Sequence, residues 1–116
     1  MIAILSKIVN ANNLRVRVNW FYDPGFEISE WDHGFFIPVE GYLEPSSLGP
    51  VPIREIKWFQ IDPIEVKVIG RLVPDKKIDH SKNVGTYLTN NSIEFTWEDG
   101  LFQIENPDYY AHESLA

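Results

Sequence analysis

The sequence predicts a mainly β protein: an antiparallel sandwich or partly open barrel of about eight short strands with a short C-terminal helix. Three observations lead there. Apolar residues recur with a period of two along most of the chain, the spacing of half-buried strands. Turn-forming clusters such as "NANN", "DPG", "EPSSLGPVP" and "EDG" interrupt that pattern at short intervals. The chain has 116 residues, 44% hydrophobic and 14% aromatic, enough to bury one core, so a single domain spanning 1–116 is expected.

The clearest strand is "LRVRVNWFY", with Leu14, Val16, Val18, Trp20 and Tyr22 on one side and Arg15, Arg17 and Asn19 on the other. Before it, "IAILSKIV" reads as a hairpin partner and not as a signal peptide, since no basic region precedes it and Lys7 interrupts the apolar run. Asn10 to Asn13 supply a link that tolerates left-handed backbone angles. After the "DPGF" turn, "FFIPVEGYL" reads as a strand with Pro38 at an edge or bulge. "IREIKWFQI" and "IEVKVIGRLV" follow as strands joined at Asp62-Pro63, the first slipping phase around Trp58 and Phe59 as a bulge or a doubly buried strand would.

"PDKKIDHSKN" reads as a polar connection. "GTYLT", "SIEFTW" and "LFQIE" read as a meander, with tight turns at Asn90-Asn91 and Asp99-Gly100. Asn106 as N-cap and Pro107 at the first helical position predict the terminal helix.

Composition narrows the function classes. The chain has no cysteine, which removes thiol nucleophiles, thiolate zinc sites and disulfides and suits a reducing cytoplasm. No apolar run approaches the roughly 20 residues of a membrane helix, so no membrane association is expected. A formal net charge of −7 argues against nucleic acid. The charge is also segregated: residues 18–53 hold Asp23, Glu27, Glu30, Asp32, Glu40 and Glu44 without one Lys or Arg, and residues 83–116 are likewise acidic throughout. Two such blocks make one negative face if the fold brings them together.

No zinc spacing, calcium loop, nucleophile elbow or phosphate-binding glycine loop is present. No catalytic residue, metal or cofactor is therefore assigned. Glu98-Asp99-Gly100 is explained by turn chemistry. Arg15 and Arg17 are expected to pair with a carboxylate on a neighbouring strand, for which Glu94 is a candidate.

The segment "FEISEWDHGFF" concentrates Glu27, Glu30, Asp32 and His33 around Trp31. Trp20, Trp97 and Trp58 are expected in the core. Trp31, which lies between two carboxylates in a stretch without alternation, is expected either exposed or folded back as a plug. Tyr109 and Tyr110 beside Asp108 repeat the acidic-aromatic combination. Aromatic anchors ringed by carboxylates suit a surface that grips a basic protein.

The sequence thus points to a small acidic binding module, in its most concrete form an inhibitor or immunity-type protein. Its contacts would be Asp23, Glu27, Glu30, Trp31, Asp32, Tyr109 and Tyr110. The alternatives are an oligomeric structural or accessory subunit, and a small-ligand carrier or enzyme using a barrel interior.

Overall fold

Alternation in the second segment becomes a strand whose one face lies inward: Leu14, Val16 and Val18 are buried, while Arg15, Arg17 and Asn19 point the other way. The computed structural model describes residues 1–22, 25–37, 39–45 and 47–109. Their order is α1 (Ile2–Ala11), β1 (Arg15–Tyr22), β2 (Gly25–Ile28), β3 (Phe35–Phe36), β4 (Tyr42–Pro45), β5 (Val51–Pro52), a 3-10 turn (Ile53–Glu55), β6 (Ile56–Asp62), β7 (Ile64–Lys67), β8 (Lys76–Asp79), α2 (Ser81–Asn90), β9 (Thr96–Glu98) and β10 (Leu101–Glu105). The protein is mainly β, and the strand pairings among the described residues are antiparallel.

Five strands form the main sheet in the order β2-β1-β6-β10-β9; β3-β4-β5 make a second sheet and β7-β8 a separate hairpin. Register aligns the inward residues in rows. Val16 sits opposite Ile61 and Ile61 opposite Phe102, while Val18 sits opposite Phe59 and Phe59 opposite Ile104. These rows pack with Ile2, Leu5 and Val9 of α1, Val84 and Leu88 of α2, and Phe35, Leu43 and Val51 of the smaller sheet. Phe35 stacks on Phe59 at 6.3 Å. The bulge expected near Trp58 is present, because the β1–β6 register shifts between Asn19, opposite Trp58, and Trp20, opposite Ile56.

Two expected strands are helices. "IAILSKIV" forms α1, which buries Ile2, Leu5 and Val9, positions that share a helical face. "GTYLT" lies within α2, which buries Val84 and Leu88. Neither helix has a side-chain hydrogen bond at its N-cap, so the sequence lacks the usual N-terminal boundary signal, although the C-caps Asn12 and Asn91 donate to the Ile8 and Tyr87 carbonyls at 3.0 and 2.8 Å. Packing against the sheet stabilises them instead.

"PDKKIDHSKN" is not an open connection, since it supplies β8 and the start of α2. "FFIPVEGYL" divides into β3 and β4. Asp99 and Gly100 do adopt the positive φ angles of a tight hairpin turn, 55° and 76°. Asn106 caps a turn: its Oδ1 accepts from the Asp108 N–H at 3.0 Å. The expected C-terminal helix falls largely on residues 110–116, outside the described residues.

Candidate functional site

The outward face of the main sheet gathers a connected set of polar side chains. Strand phase dictates which ones. With Val16, Val18, Phe59, Ile61 and Ile104 inward, Arg15, Arg17 and Asn19 of β1, Trp58, Gln60 and Asp62 of β6, and Gln103 and Glu105 of β10 share the opposite face. Register then sets the partners: Arg15 opposite Asp62, Arg17 opposite Gln60, and Gln60 opposite Gln103.

Two hydrogen bonds follow the register across the strands and a third continues along β10. Arg17 Nε donates to Gln60 Oε1 at 2.8 Å, Gln60 Nε2 to Gln103 Oε1 at 2.9 Å, and Gln103 Nε2 to Glu105 Oε1 at 3.1 Å. Arg15 forms an ion pair with Asp62, and Asp62 also accepts from the Ile64 N–H at 3.0 Å. A cation begins this band and a carboxylate ends it, so each amide dipole is oriented by its neighbours. The carboxylate serving β1 is thus Asp62 on the adjacent strand and not Glu94.

Trp31 covers the cationic end. Its ring centre lies 4.5 Å from the Arg17 guanidinium carbon and 5.3 Å from that of Arg15, within the range of cation–π attraction. The backbone explains how it reaches there. Ser29 pairs with Val18, its N–H donating to the Val18 carbonyl and its Oγ accepting from the Val18 N–H. Asp32 pairs with Val16 through two backbone hydrogen bonds of 2.8 Å. Two steps along β1 are therefore matched by three along the loop, and the excess residue arches Glu30 and Trp31 away from the strand, as in a bulge. Below the arch, the Asp32 carboxylate accepts from the Ser47 N–H at 2.9 Å and the Ser47 hydroxyl at 2.7 Å.

A second aromatic group lies further along the same face. Phe21 and Phe26, opposite each other in register, meet edge to face at 5.5 Å. Tyr109 lies 6.0 Å from Phe26, and Lys57 Nζ sits 5.1 Å above the Phe26 ring. Buried Asn106 holds the chain there by donating to the carbonyls of Ile53 and Ile56 at 2.9 and 2.7 Å.

The residues singled out in the sequence therefore separate. Glu30 is exposed beside Trp31, and Tyr109 is partly buried against Phe26. Glu27 is exposed but stands opposite Trp20 on β2, hence on the other face of the sheet from Arg17. Asp32 is 6% exposed, with its carboxylate turned to Ser47; its role is to hold the loop. Asp23 and Tyr110 lie outside the described residues. Trp31 is half-buried, with the Arg17 and Arg15 guanidinium groups over its ring.

Trp97, expected in the core, is 50% exposed: β9 is a sheet edge, and the ring lies against Phe102 at 4.5 Å. Trp58 is half-buried on the outward face, opposite Asn19 and Glu105. Gln60, Asp62 and Gln103 went unnoticed in the sequence, although the alternation of Phe59 and Ile61 placed Gln60 and Asp62 outward. Among the described residues no group of three or more His, Asp or Glu is placed to hold a metal ion, and no helix is long and apolar enough to cross a membrane.

A family model described as "Family of unknown function (DUF6678)" matches residues 5–106, a span that contains the whole polar band, Trp31 and the β7-β8 hairpin. No curated protein and no solved structure matches the chain.

Proposed function

We propose that this chain, which belongs to the family of unknown function DUF6678, is a protein-binding module that docks a basic partner on the outward face of its main sheet. The observation that carries this reading is Trp31 lying across Arg15 and Arg17 at the head of a hydrogen-bonded band that crosses three strands. Tryptophan, tyrosine and arginine are the side chains that dominate binding hot spots, and a face already ordered loses little side-chain entropy on docking. Glu30, Glu105 and Asp108 are exposed near its two ends. Together with a net charge of −7, they favour and steer a basic protein. The narrower form of the proposal is an inhibitor that covers a basic enzyme in the cytoplasm.

Affinity capture with three baits tests this: the wild-type chain, Trp31→Ala, and Val39→Asp, which alters an exposed residue in the turn between β3 and β4. A basic protein is expected to be retained by the wild type and by Val39→Asp. Its affinity for Trp31→Ala should be weaker by at least about tenfold, the loss typical of a hot-spot truncation. Equal capture by all three folded baits refutes the assignment of this face.

A further inference from the structure

The β7-β8 hairpin is built unlike the rest of the molecule. Its two strands pair from Ile64–Asp79 to Lys67–Lys76, and a bridge between Gly70 and Val73 closes its tip. The root is clamped: His80 Nε2 meets Glu65 Oε1 at 2.8 Å, the His80 N–H donates to the Pro63 carbonyl, and the Asp79 carboxylate accepts from the Ser81 N–H at 2.8 Å. The tip, by contrast, is apolar and uncovered. Leu72 is 98% exposed and Val68 80%, and Val66, Ile69 and Val73 are exposed as well.

The radius of gyration is 15.0 Å and the longest extent 54 Å against 31 and 28 Å, where a compact chain of this length has a radius near 13 Å. Five large apolar side chains presented together on a firmly rooted hairpin mark a contact site, because monomeric surfaces rarely group them.

Charge identifies the occupant. Residues 66–77 hold Lys67, Arg71, Lys76 and Lys77 against Asp75 alone, that is, four of the chain's ten cations and one of its seventeen acids. The hairpin is thus a basic, apolar arm on an otherwise strongly acidic body. That body carries an apolar groove of about 580 Å³ between the start of α1 and the β9 edge, lined by Met1, Ile4, Ile93 and Phe95 with Glu94 and Glu105 at its rim. We infer that the arm of one copy docks in this groove of a second copy. Apolar side chains of the arm fill the groove while its lysines meet the rim carboxylates. Reciprocal exchange makes a twofold dimer and doubles the buried surface, towards the roughly 1,200–2,000 Å² of stable interfaces. The groove shares Gln103 and Glu105 with the far end of the polar band, but neither the arm nor the groove uses Trp31, Arg15 or Arg17, so the inference does not rest on the proposed partner.

The absence of cysteine allows a clean test. A Leu72→Cys chain mixed with a Glu94→Cys chain should give an intermolecular disulfide between the two variants, and sedimentation equilibrium of the wild type at about 100 µM should show a dimer. Val68→Asp with Leu72→Asp, both at exposed positions, should weaken self-association at least about tenfold without changing the circular dichroism spectrum. Lys76→Glu with Lys77→Glu should weaken it too, and adding Glu94→Lys should restore it in part. A wild type that stays monomeric at that concentration overturns the inference. So does a dimer that persists in the aspartate variant, or a tip that binds anionic vesicles while the chain remains monomeric.

Discussion

Gly34 sits two residues after Asp32 and sets how the Trp31 loop rejoins the core. Its φ is +93°, and a Cβ built there would lie 2.0 Å from Asn10 Oδ1. The close approach is functional in the fold: Asn10 Oδ1 accepts from the Phe35 N–H at 3.3 Å, and Asn10 Nδ2 donates to the Phe35 carbonyl at 3.2 Å. Gly34→Ala therefore carries two costs. A left-handed backbone costs an L-residue about 1–2 kcal/mol. Displacing Asn10 forfeits its hydrogen bonds to Phe35, at about 1 kcal/mol each. The expected destabilisation is about 3 kcal/mol, which urea unfolding at constant m-value would read directly and which corresponds to a fall in Tm of roughly 10–15 °C.

A double-mutant cycle separates the two costs. In an Asn10→Ala background the obstructing amide is gone, so the same Gly34→Ala change should cost only the backbone share, leaving a coupling of about 1–2 kcal/mol. A Gly34→Ala protein within about 0.5 kcal/mol of wild type, or a coupling near zero, would refute the reasoning.

Two further outcomes follow from the hydrogen bonds. Asp32→Ala removes a buried carboxylate that accepts from both the N–H and the hydroxyl of Ser47; charge-assisted bonds of this kind predict a loss of about 2–3 kcal/mol in chemical denaturation, with Ser47→Ala losing less because the backbone donor remains. The Asp79 carboxyl titrates below its ordinary value of 3.8, chiefly through the Ser81 hydroxyl and then the Ser81 N–H. Because the folded value is the lower one, the stability it contributes is present above the unfolded value and is lost as pH falls through the folded one. Asp79→Asn should accordingly flatten the dependence of stability on pH below about pH 4, and an unchanged acid limb would count against the contact.

The outward band was legible in part. Arg15 and Arg17 follow from the period of β1 alone. Their partners Asp62 and Gln60 needed the register of β6, which a local bulge at Lys57 obscures in the linear pattern. The acidic segment around Trp31 misled in a different way. Three carboxylates near one tryptophan looked like one patch, yet alternation on β2 turns Glu27 to the other face and the Ser47 contacts turn Asp32 inward.

What the sequence determined by itself is what depends on near neighbours: the β1 alternation, the Asp99-Gly100 turn, the charge balance and the absence of cysteine chemistry. Tertiary structure decided whatever two periodicities fit equally well. In "IAILSKIV" the apolar positions satisfy both a strand and a helix, and packing of Ile2, Leu5 and Val9 into the core, with Ser6 and Asn10 bonded to the Phe35 carbonyl, selects the helix. The position of Trp31 was likewise outside the reach of local pattern. It rests on hydrogen bonds from Val16, Val18 and Ser47 to residues 29 and 32, and contacts so far apart in the chain form only once the sheet has assembled.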